Sequence, residues 1–412
     1  MFEFGRDLRK LFEKARESED LGWLELIGAD LVEAEARRET TDAGRVSCPR
    51  PFSSWNRAAA LWREHARRTG RRSSLDRARA AASDAMRQAT TPDQRVTASI
   101  CAAETHLLQF DLFGGPDALT AALSDLRSLA AEKPTTRAAL VAVSARLTAR
   151  RARLSGEPSV LLDATALLDA ALHAARSLSP QGADELRLDR ASLALEGGVM
   201  RRDGRLLDQA GRDLRVLVES ASPEYRPLTR ARALALAGAG LLALARLAEN
   251  AAAAEQGMAL FEAAADQFTP DHSPLDWVAV QLVRSDRLPL DQLAMAEQLS
   301  TEPGLILGAL ARGEHLEAKL RLAEAVSDVA AVSGLEAALR RRLSASAPVK
   351  PVDWAADQIG MARLALAKAR LTGSHPRAVG LMLAEAIETA RECGAPALME
   401  QAVLAMPESV RL

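Results

Sequence analysis

The arginines are the residues in this sequence whose type and spacing suggest a chemical role. Guanidinium groups held close together bind carboxylates, phosphates or the backbone of nucleic acids. The alternative is that cations at helix C-termini complement the helix dipole and keep the surface solvated. No aromatic residues alternate with these arginines, so stacking of single-stranded bases is not expected. The candidate ridge for an anionic partner comprises three clusters: Arg67, Arg68, Arg71 and Arg72; Arg150, Arg151 and Arg153; Arg201, Arg202 and Arg205.

Histidines and cysteines give no pattern of a catalytic or metal site. The six histidines are scattered, and none lies at metal-ligand spacing from another histidine or a cysteine. Cys48, Cys101 and Cys393 are far apart and odd in number, which predicts neither a zinc site nor a disulfide framework. The motifs GxSxG and HExxH and the P-loop are missing. We therefore expect a non-enzymatic protein without a cofactor.

The composition predicts that the arginines lie on helices. Hydrophobic residues make up 48% and aromatic residues only 3%, and the apolar set is mostly alanine and leucine. These are strong helix formers, whereas the residues that sheets prefer are sparse. The net charge of −2 gives no general attraction to nucleic acid or to an anionic membrane. Arginine is abundant and lysine rare, as in bacterial genes of high GC content.

Prolines and glycines divide the chain at regular intervals. Pro92, Pro134, Pro180, Pro223 and Pro270 are separated by 42, 46, 43 and 47 residues. Proline is favoured at the first turn of a helix. Between them lie glycines that can end a helix in the left-handed conformation, namely Gly70, Gly114, Gly115, Gly156 and Gly204. Each period therefore predicts a hairpin of helix A and helix B. Because one hairpin cannot bury its apolar face alone, the pattern favours an α-solenoid of stacked antiparallel hairpins.

A second repeated pattern contains tryptophan. The segments SPLDWVAVQL (273–282) and KPVDWAADQI (350–359) share Pro, Asp, Trp, Ala and Gln at matching positions, and Pro51 precedes Trp55 similarly. This could be a binding site that occurs twice. The structural interpretation is that proline and aspartate begin a helix while tryptophan packs on the preceding one. We favour the latter, so that Trp55, Trp277 and Trp354 mark repeat starts.

These segments resemble tetratricopeptide repeats, particularly the longer-period variety common in bacterial proteins. The matching residues are Pro274, Leu275, Asp276 and Trp277 with Ala279 and Gln281, and Pro351, Asp353 and Trp354 with Ala355 and Gln358. The resemblance implies a right-handed superhelix whose concave groove binds another protein. It also implies that the chain scaffolds rather than catalyses.

Four regions are predicted along the chain. Residues 1–45 form an N-terminal helical cap with helices at 4–17 and 19–38. Repeats of about 42–47 residues occupy 50–285, less regular helical repeats 286–350, and a last repeat with a capping helix 351–412. The helix at 4–17 could lie on a membrane surface or dock as an end cap, and docking is favoured because acidic residues intersperse its basic ones.

The expected function is that of a non-catalytic scaffold or adaptor that binds a segment of a partner protein in the concave groove. The alternative is a binder of an acidic peptide or nucleic acid through the arginine ridge, although nucleic acid is not the expected partner. The N-terminus lacks the apolar core of a secretory signal, and the apolar run 233–248 is interrupted by Arg246. We therefore expect a cytoplasmic protein without a membrane span. The sequence does not predict its oligomeric state or the identity of the partner.

Overall fold

The computed structural model describes residues 21–175, 180–344, 350–376 and 378–406, and it confirms an all-α protein. These residues contain eighteen α-helices and no strand. The predicted helix at 4–17 lies outside the described residues. The first nine helices are α1 Ala29–Ala43, α2 Pro51–Thr69, α3 Arg72–Gln88, α4 Pro92–Phe113, α5 Pro116–Arg127, α6 Pro134–Ser155, α7 Pro158–Ala174, α8 Pro180–Arg201 and α9 Gly204–Ser220. The others are α10 Pro227–Ala248, α11 Ala251–Ala265, α12 Pro274–Val283, α13 Leu290–Leu299, α14 Ile306–Ala325, α15 Val329–Leu343, α16 Pro351–Thr372, α17 Val379–Cys393 and α18 Pro396–Ala405.

Successive helices pack as neighbouring pairs. We call the even-numbered helices from α2 to α16 the A helices and the odd-numbered helices from α3 to α17 the B helices. Each A helix packs against the B helix that follows it, and short connections make the two antiparallel. From α2 to α10, each A helix also contacts the next A helix along the chain. Neighbouring pairs therefore bury a continuous layer of alanine and leucine.

Proline and glycine mark most helix ends as their chemistry predicts. Pro92, Pro134 and Pro180 begin α4, α6 and α8. In the next two units, however, helices begin at Pro227 and Pro274, four residues after the prolines we expected. Each of these connectors contains two prolines, and either one can occupy the first helical turn. Gly70 (φ 69°) follows the last residue of α2 and Gly156 (φ 64°) that of α6, both left-handed as predicted. The prediction for Gly204 was wrong, because this glycine is the first residue of α9 and ends no helix.

The N-terminal region differs from the predicted helix at 19–38. A short 3-10 turn at Gly22–Leu26 precedes α1, and the two are separated at Gly28. The backbone N–H of Ala29 donates to the carbonyl oxygen of Asp271 (3.0 Å). A Cβ on Gly28 would lie 3.1 Å from that oxygen, so glycine permits the close approach. A contact with a distant segment therefore overrides the local helical pattern.

Residues far apart in sequence meet where the chain curves back on itself. Helix α2 packs against α12, and Arg68 donates to the carbonyl oxygen of His272 (3.3 Å). The N–H of Gly115 donates to the carbonyl oxygen of Cys393 (2.9 Å). One apolar cluster joins these regions: Ala66, Leu75, Leu108, Phe113, Leu275 and Leu305. The four predicted regions are thus joined by packing, and their division stays a prediction.

Helix α10 is long and apolar enough to cross a membrane by length and composition. This differs from the expectation of an interrupted run, because the helix begins at Pro227 and lasts 22 residues. A core helix of a globular protein passes the same test, but only 28% of the apolar window of α10 is buried. Here α10 packs against α8, α9 and α11. Gly238 lies inside the helix, and a Cβ on it would lie 2.8 Å from the carbonyl oxygen of Gly257. Glycine at this position therefore permits the close packing of α10 against α11.

Candidate functional site: a charged inner cavity

Charged side chains on the A helices follow helical spacing and face the neighbouring A helix. Arg146, Arg150 and Arg153 lie four and three residues apart on one side of α6. The opposing side of α8 carries Glu185, Asp189, Ser192 and Glu196 at the same spacing. Arg146 donates to Glu185 (2.7 Å) and to Asp189 (2.7 Å). Arg150 donates to Asp189 (2.6 Å), and Arg153 to Glu196 (2.8 Å). Two complementary rows of charge thus join the helices.

The sign of the charge alternates from one A helix to the next. Arg63 on α2 pairs with Glu104 on α4 (2.7 Å), while Asp111 on α4 accepts from Arg150 on α6 (2.9 Å). Further along, Arg232 on α10 pairs with Asp276 on α12. The partners are 39 to 44 residues apart in sequence, which is one repeat. We call this set of pairs, from Arg63–Glu104 to Arg232–Asp276, the charge ladder.

Because the ladder pairs are buried, the two partners of each pair depend on each other. Burial acts to raise the pKa of Asp189, but Arg150 and Arg146 together outweigh it and lower the pKa to about 2. Burial acts to lower the pKa of Arg150, but Asp111 and Asp189 raise it further above its ordinary range. Asp189 and Arg150 are therefore both ionised at neutral pH. Removing one partner would leave an uncompensated buried charge, which is costly.

The charge ladder borders a cavity of about 280 Å³ between the first four A helices. We call it the inner cavity. Its charged lining comes from α2, α4, α6 and α8, and four leucines complete the lining. The charged residues are Arg63, Glu64, Arg67, Glu104, Asp111, Arg146 and Glu185, and the leucines are Leu21, Leu24, Leu107 and Leu108. This volume accommodates side chains of a partner but no folded domain.

The inner cavity is lined by four carboxylates and three guanidinium groups, so acidic groups are in excess. Glu104 and Glu185 each use one carboxylate oxygen, Oε2, on an arginine. Their Oε1 atoms accept from no group in the described ranges. Arg67 donates through Nε and Nη2 to Glu64, and Arg146 donates through Nε and Nη1 to Asp189 and Glu185, so both guanidinium groups are already held by carboxylates of the fold. A carboxylate with free lone pairs accepts from ammonium, guanidinium or amide N–H groups. The cavity therefore suits a ligand that donates hydrogen bonds.

Most side chains in the first cluster of the predicted arginine ridge make contacts within the fold. Arg68 is fully buried, and it donates to Glu64 (2.6 Å) and to the carbonyl oxygens of Ile27 (2.6 Å) and Leu24 (2.8 Å). Arg67 also pairs with Glu64. Arg71 is exposed and lies 3.3 Å from Glu33, and Arg72 lies 4.1 Å above the ring of Phe113. These four side chains therefore do not share one surface.

The later clusters divide between the interior and the surface. Arg150 and Arg153 belong to the charge ladder. Four exposed arginines make no ion pair within the part of the chain that the structure describes: Arg151, Arg201, Arg202 and Arg205. Binding of an anionic partner by the ridge stays a prediction, and it now concerns these four residues.

The tryptophans lie in the first two turns of their helices. Trp277 is buried with Phe261 and Phe268, whereas Trp55 and Trp354 are partly buried at the edges of two other clusters. The aspartate that precedes each of the last two tryptophans has a role that the sequence did not suggest. Asp276 and Asp353 pair with arginines of the preceding A helix, Arg232 and Arg312.

A buried histidine lies between a serine and a carboxylate. His65 Nδ1 is 2.8 Å from Ser74 Oγ, and Nε2 is 3.8 Å from a carboxylate oxygen of Glu33. Ser74 is only 2% exposed, so a substrate could not reach the hydroxyl. Burial is the main reason that the pKa of His65 is lowered to about 4. Among the described residues no group of three or more His, Cys, Asp or Glu is arranged to hold a metal ion.

Sequence reasoning missed the residues of the inner cavity, although a signal exists. Arg63, Glu104, Asp111, Arg146 and Glu185 were not singled out, because none belongs to a known motif. Opposite charges separated by one repeat length would have revealed them, since equivalent positions of adjacent repeats are neighbours in space.

Comparison with family models, with curated proteins and with solved structures gives no match. The geometry itself therefore defines the class: an all-α protein of paired helices with a charged inner cavity.

Proposed function

We propose that the paired helices form an α-solenoid of the tetratricopeptide type, a right-handed superhelix with the A helices on its concave side. Two observations support this arrangement. Seven of the eight A helices begin with proline, at Pro51, Pro92, Pro134, Pro180, Pro227, Pro274 and Pro351. In addition, the ladder pairs connect A helices one repeat apart, which is the neighbour relation of a solenoid.

Within this arrangement the protein acts as a non-catalytic scaffold that holds a segment of a partner protein in the inner cavity. The free Oε1 atoms of Glu104 and Glu185, inside a cavity lined by four successive A helices, carry this proposal. The partner segment is one that donates hydrogen bonds, through a lysine or arginine side chain or through backbone amides. Because the ladder holds the carboxylates in place beforehand, little conformational entropy is lost on binding.

A photo-crosslinking experiment tests this function. A benzoylphenylalanine residue replaces Ala60, which lines the inner cavity and is half-buried. A control protein carries the same group at Asp208, on the exposed side of α9. In cells of the source organism we expect the residue-60 protein to crosslink reproducibly to one partner, at a segment containing lysine or arginine. Combining it with Glu104→Gln and Glu185→Gln should abolish this crosslink. Failure of residue 60 to crosslink more than residue 208 contradicts the proposal.

A second candidate function is supported by the exposed arginines at the α8–α9 connection. Arg201, Arg202 and Arg205 are exposed and make no ion pair among the described residues. They could bind an acidic peptide or nucleic acid, and such binding would weaken steeply with salt. Titration with a labelled polyglutamate peptide and with duplex and single-stranded oligonucleotides tests it. The triple variant R201A/R202A/R205A should then lose the salt-dependent part of the affinity. Equal binding by the variant would exclude this role.

A further inference from the structure

A second feature of the surface lies on the opposite side of the A helices. Between the neighbouring B helices α5 and α7 is a groove of about 400 Å³, with α6 as its floor. We call it the α5–α7 groove. Its floor and walls are mostly apolar, with Leu123, Leu126, Leu140, Val141 and Leu167. Val141 is 41% exposed and Leu167 is 47% exposed, so part of this apolar surface faces solvent.

The rim of the α5–α7 groove carries uncompensated positive charge. Arg127 at the end of α5 and Arg151 on α6 both line it and are exposed. Neither makes an ion pair or a side-chain hydrogen bond within the described part of the chain. Among the described residues no carboxylate lines the groove, and the other polar residues in its lining are Ser144 and Thr148. The groove therefore combines an apolar floor with two free cations.

A second groove offers a natural comparison. Between α9 and α11, over α10, lies a groove of about 360 Å³ that is also lined mainly by leucines, such as Leu214 and Leu241. Its rim carries one charge of each sign, Arg215 and Glu219. The two grooves thus share their position between successive B helices and their apolar floor. They differ in the net charge of the rim.

We infer that the α5–α7 groove docks an amphipathic helix of a partner protein, with apolar side chains on its inner face and carboxylates along its edge. A helix fits because its apolar face can enter a groove between two helices while its other face stays in water. A lipid acyl chain is the less suitable occupant, because in this groove it would stay partly exposed to water beside Val141 and Leu167. The carboxylates are required by charge complementarity with Arg127 and Arg151. This surface is separate from the inner cavity and does not depend on it.

Selection of helical peptides tests the inference. The full chain is used to select from a displayed library of 16-residue helices with apolar residues at helical spacing and all residues allowed at the flanking positions. We expect the selected flanks to be enriched in Asp and Glu. The best peptide, synthesised with a fluorophore, should bind R127E/R151E at least about tenfold more weakly than the wild type. Both arginines are exposed, so the variant should retain the helical circular dichroism of the wild type.

Matched variants assign the binding to one groove. Arg215→Glu alters the rim of the α9–α11 groove and should leave the affinity for the peptide unchanged, as should E104Q/E185Q in the inner cavity. Leu167→Glu places a charge on the apolar wall and should abolish binding. Flanks not enriched in acids, equal affinity for R127E/R151E, or no selected binder would each overturn the inference. Binding of anionic phosphatidylglycerol vesicles that depends on both arginines, without any peptide binding, would replace the partner helix by a membrane.

Discussion

Adjacent arginines on α6 show how differently the two sides of an A helix use the same residue type. Arg150 faces the neighbouring A helices, is buried, and pairs with Asp111 and Asp189. Arg151 is the next residue, yet it is exposed and lies on the rim of the α5–α7 groove. One residue along a helix turns the side chain by about 100°. Arginines of the inner face are therefore paired with carboxylates of the fold, whereas Arg151 on the outer face stays available to another molecule.

The largest expected effect tests this contrast directly. Arg150→Ala leaves Asp111 without its bidentate partner and Asp189 with only Arg146, so we expect the free energy of unfolding to fall by about 3–5 kcal/mol. Urea denaturation measures it. Arg151→Ala is the matched control, with an expected change within about 0.5 kcal/mol. If the two variants are equally stable, the charge ladder does not contribute to stability as argued.

Neighbouring leucines on α7 provide the corresponding contrast for apolar groups. Leu168 is fully buried, and Leu168→Ala should lower the free energy of unfolding by about 2–5 kcal/mol through loss of burial and the cavity left behind. Leu167 lines the α5–α7 groove and is exposed, so Leu167→Ala should change it by about 0.5 kcal/mol or less. Thermal unfolding of both variants gives the comparison. A large cost for Leu167→Ala would mean that its side chain is covered in solution.

The contrast between Arg150 and Arg151 also explains how much of this structure could be predicted from the sequence. Helical composition and regular prolines predicted the all-α class and most helix starts, because those signals act locally. The burial of Arg150 and the exposure of Arg151 depend on the rotation of α6 relative to α4 and α8. Only the carboxylates one repeat away, at Asp111 and Asp189, carry that information. Arginine clustering alone therefore predicted a ridge, although six of its ten side chains make contacts within the fold.

No local sequence pattern predicts that distant segments of the chain contact each other. Gly70 lies against Leu275 and Leu305, and a Cβ on it would lie 3.0–3.1 Å from their side chains. Such a contact depends on how much each pair of helices turns relative to the preceding pair, summed over several repeats. Small rotations that no single residue determines thus decide which surfaces meet. For the same reason the inner cavity could not be located from the sequence.

Acid should weaken the inner face selectively. The pKa of Asp189 falls from 3.8 to about 2 in the folded protein because Arg150 and Arg146 together outweigh the effect of burial. A lowered folded pKa stabilises the fold above the unfolded pKa, and this contribution, about 2 kcal/mol, is lost as the pH falls from about 5 towards 2. We expect the stability difference between the wild type and Asp189→Asn to shrink over that range. A difference that stays constant with pH would show that Asp189 is not held as an ion by its arginines.

The smallest expected effect concerns an ion pair of identical chemistry on the surface. Arg212 and Asp208 pair on the exposed side of α9, with side chains 62% and 69% exposed. Water and salt screen this pair, and holding two long side chains in place costs entropy, so Arg212→Ala should change the free energy of unfolding by less than about 0.5 kcal/mol. Denaturation at low and at high salt measures both the cost and its screening. A cost comparable to that of Arg150→Ala would contradict the view that burial, rather than pairing itself, gives the ladder its stability. If the cost is small, the exposed charges of the B helices can change to suit a partner without loss of the fold, whereas those of the inner face cannot.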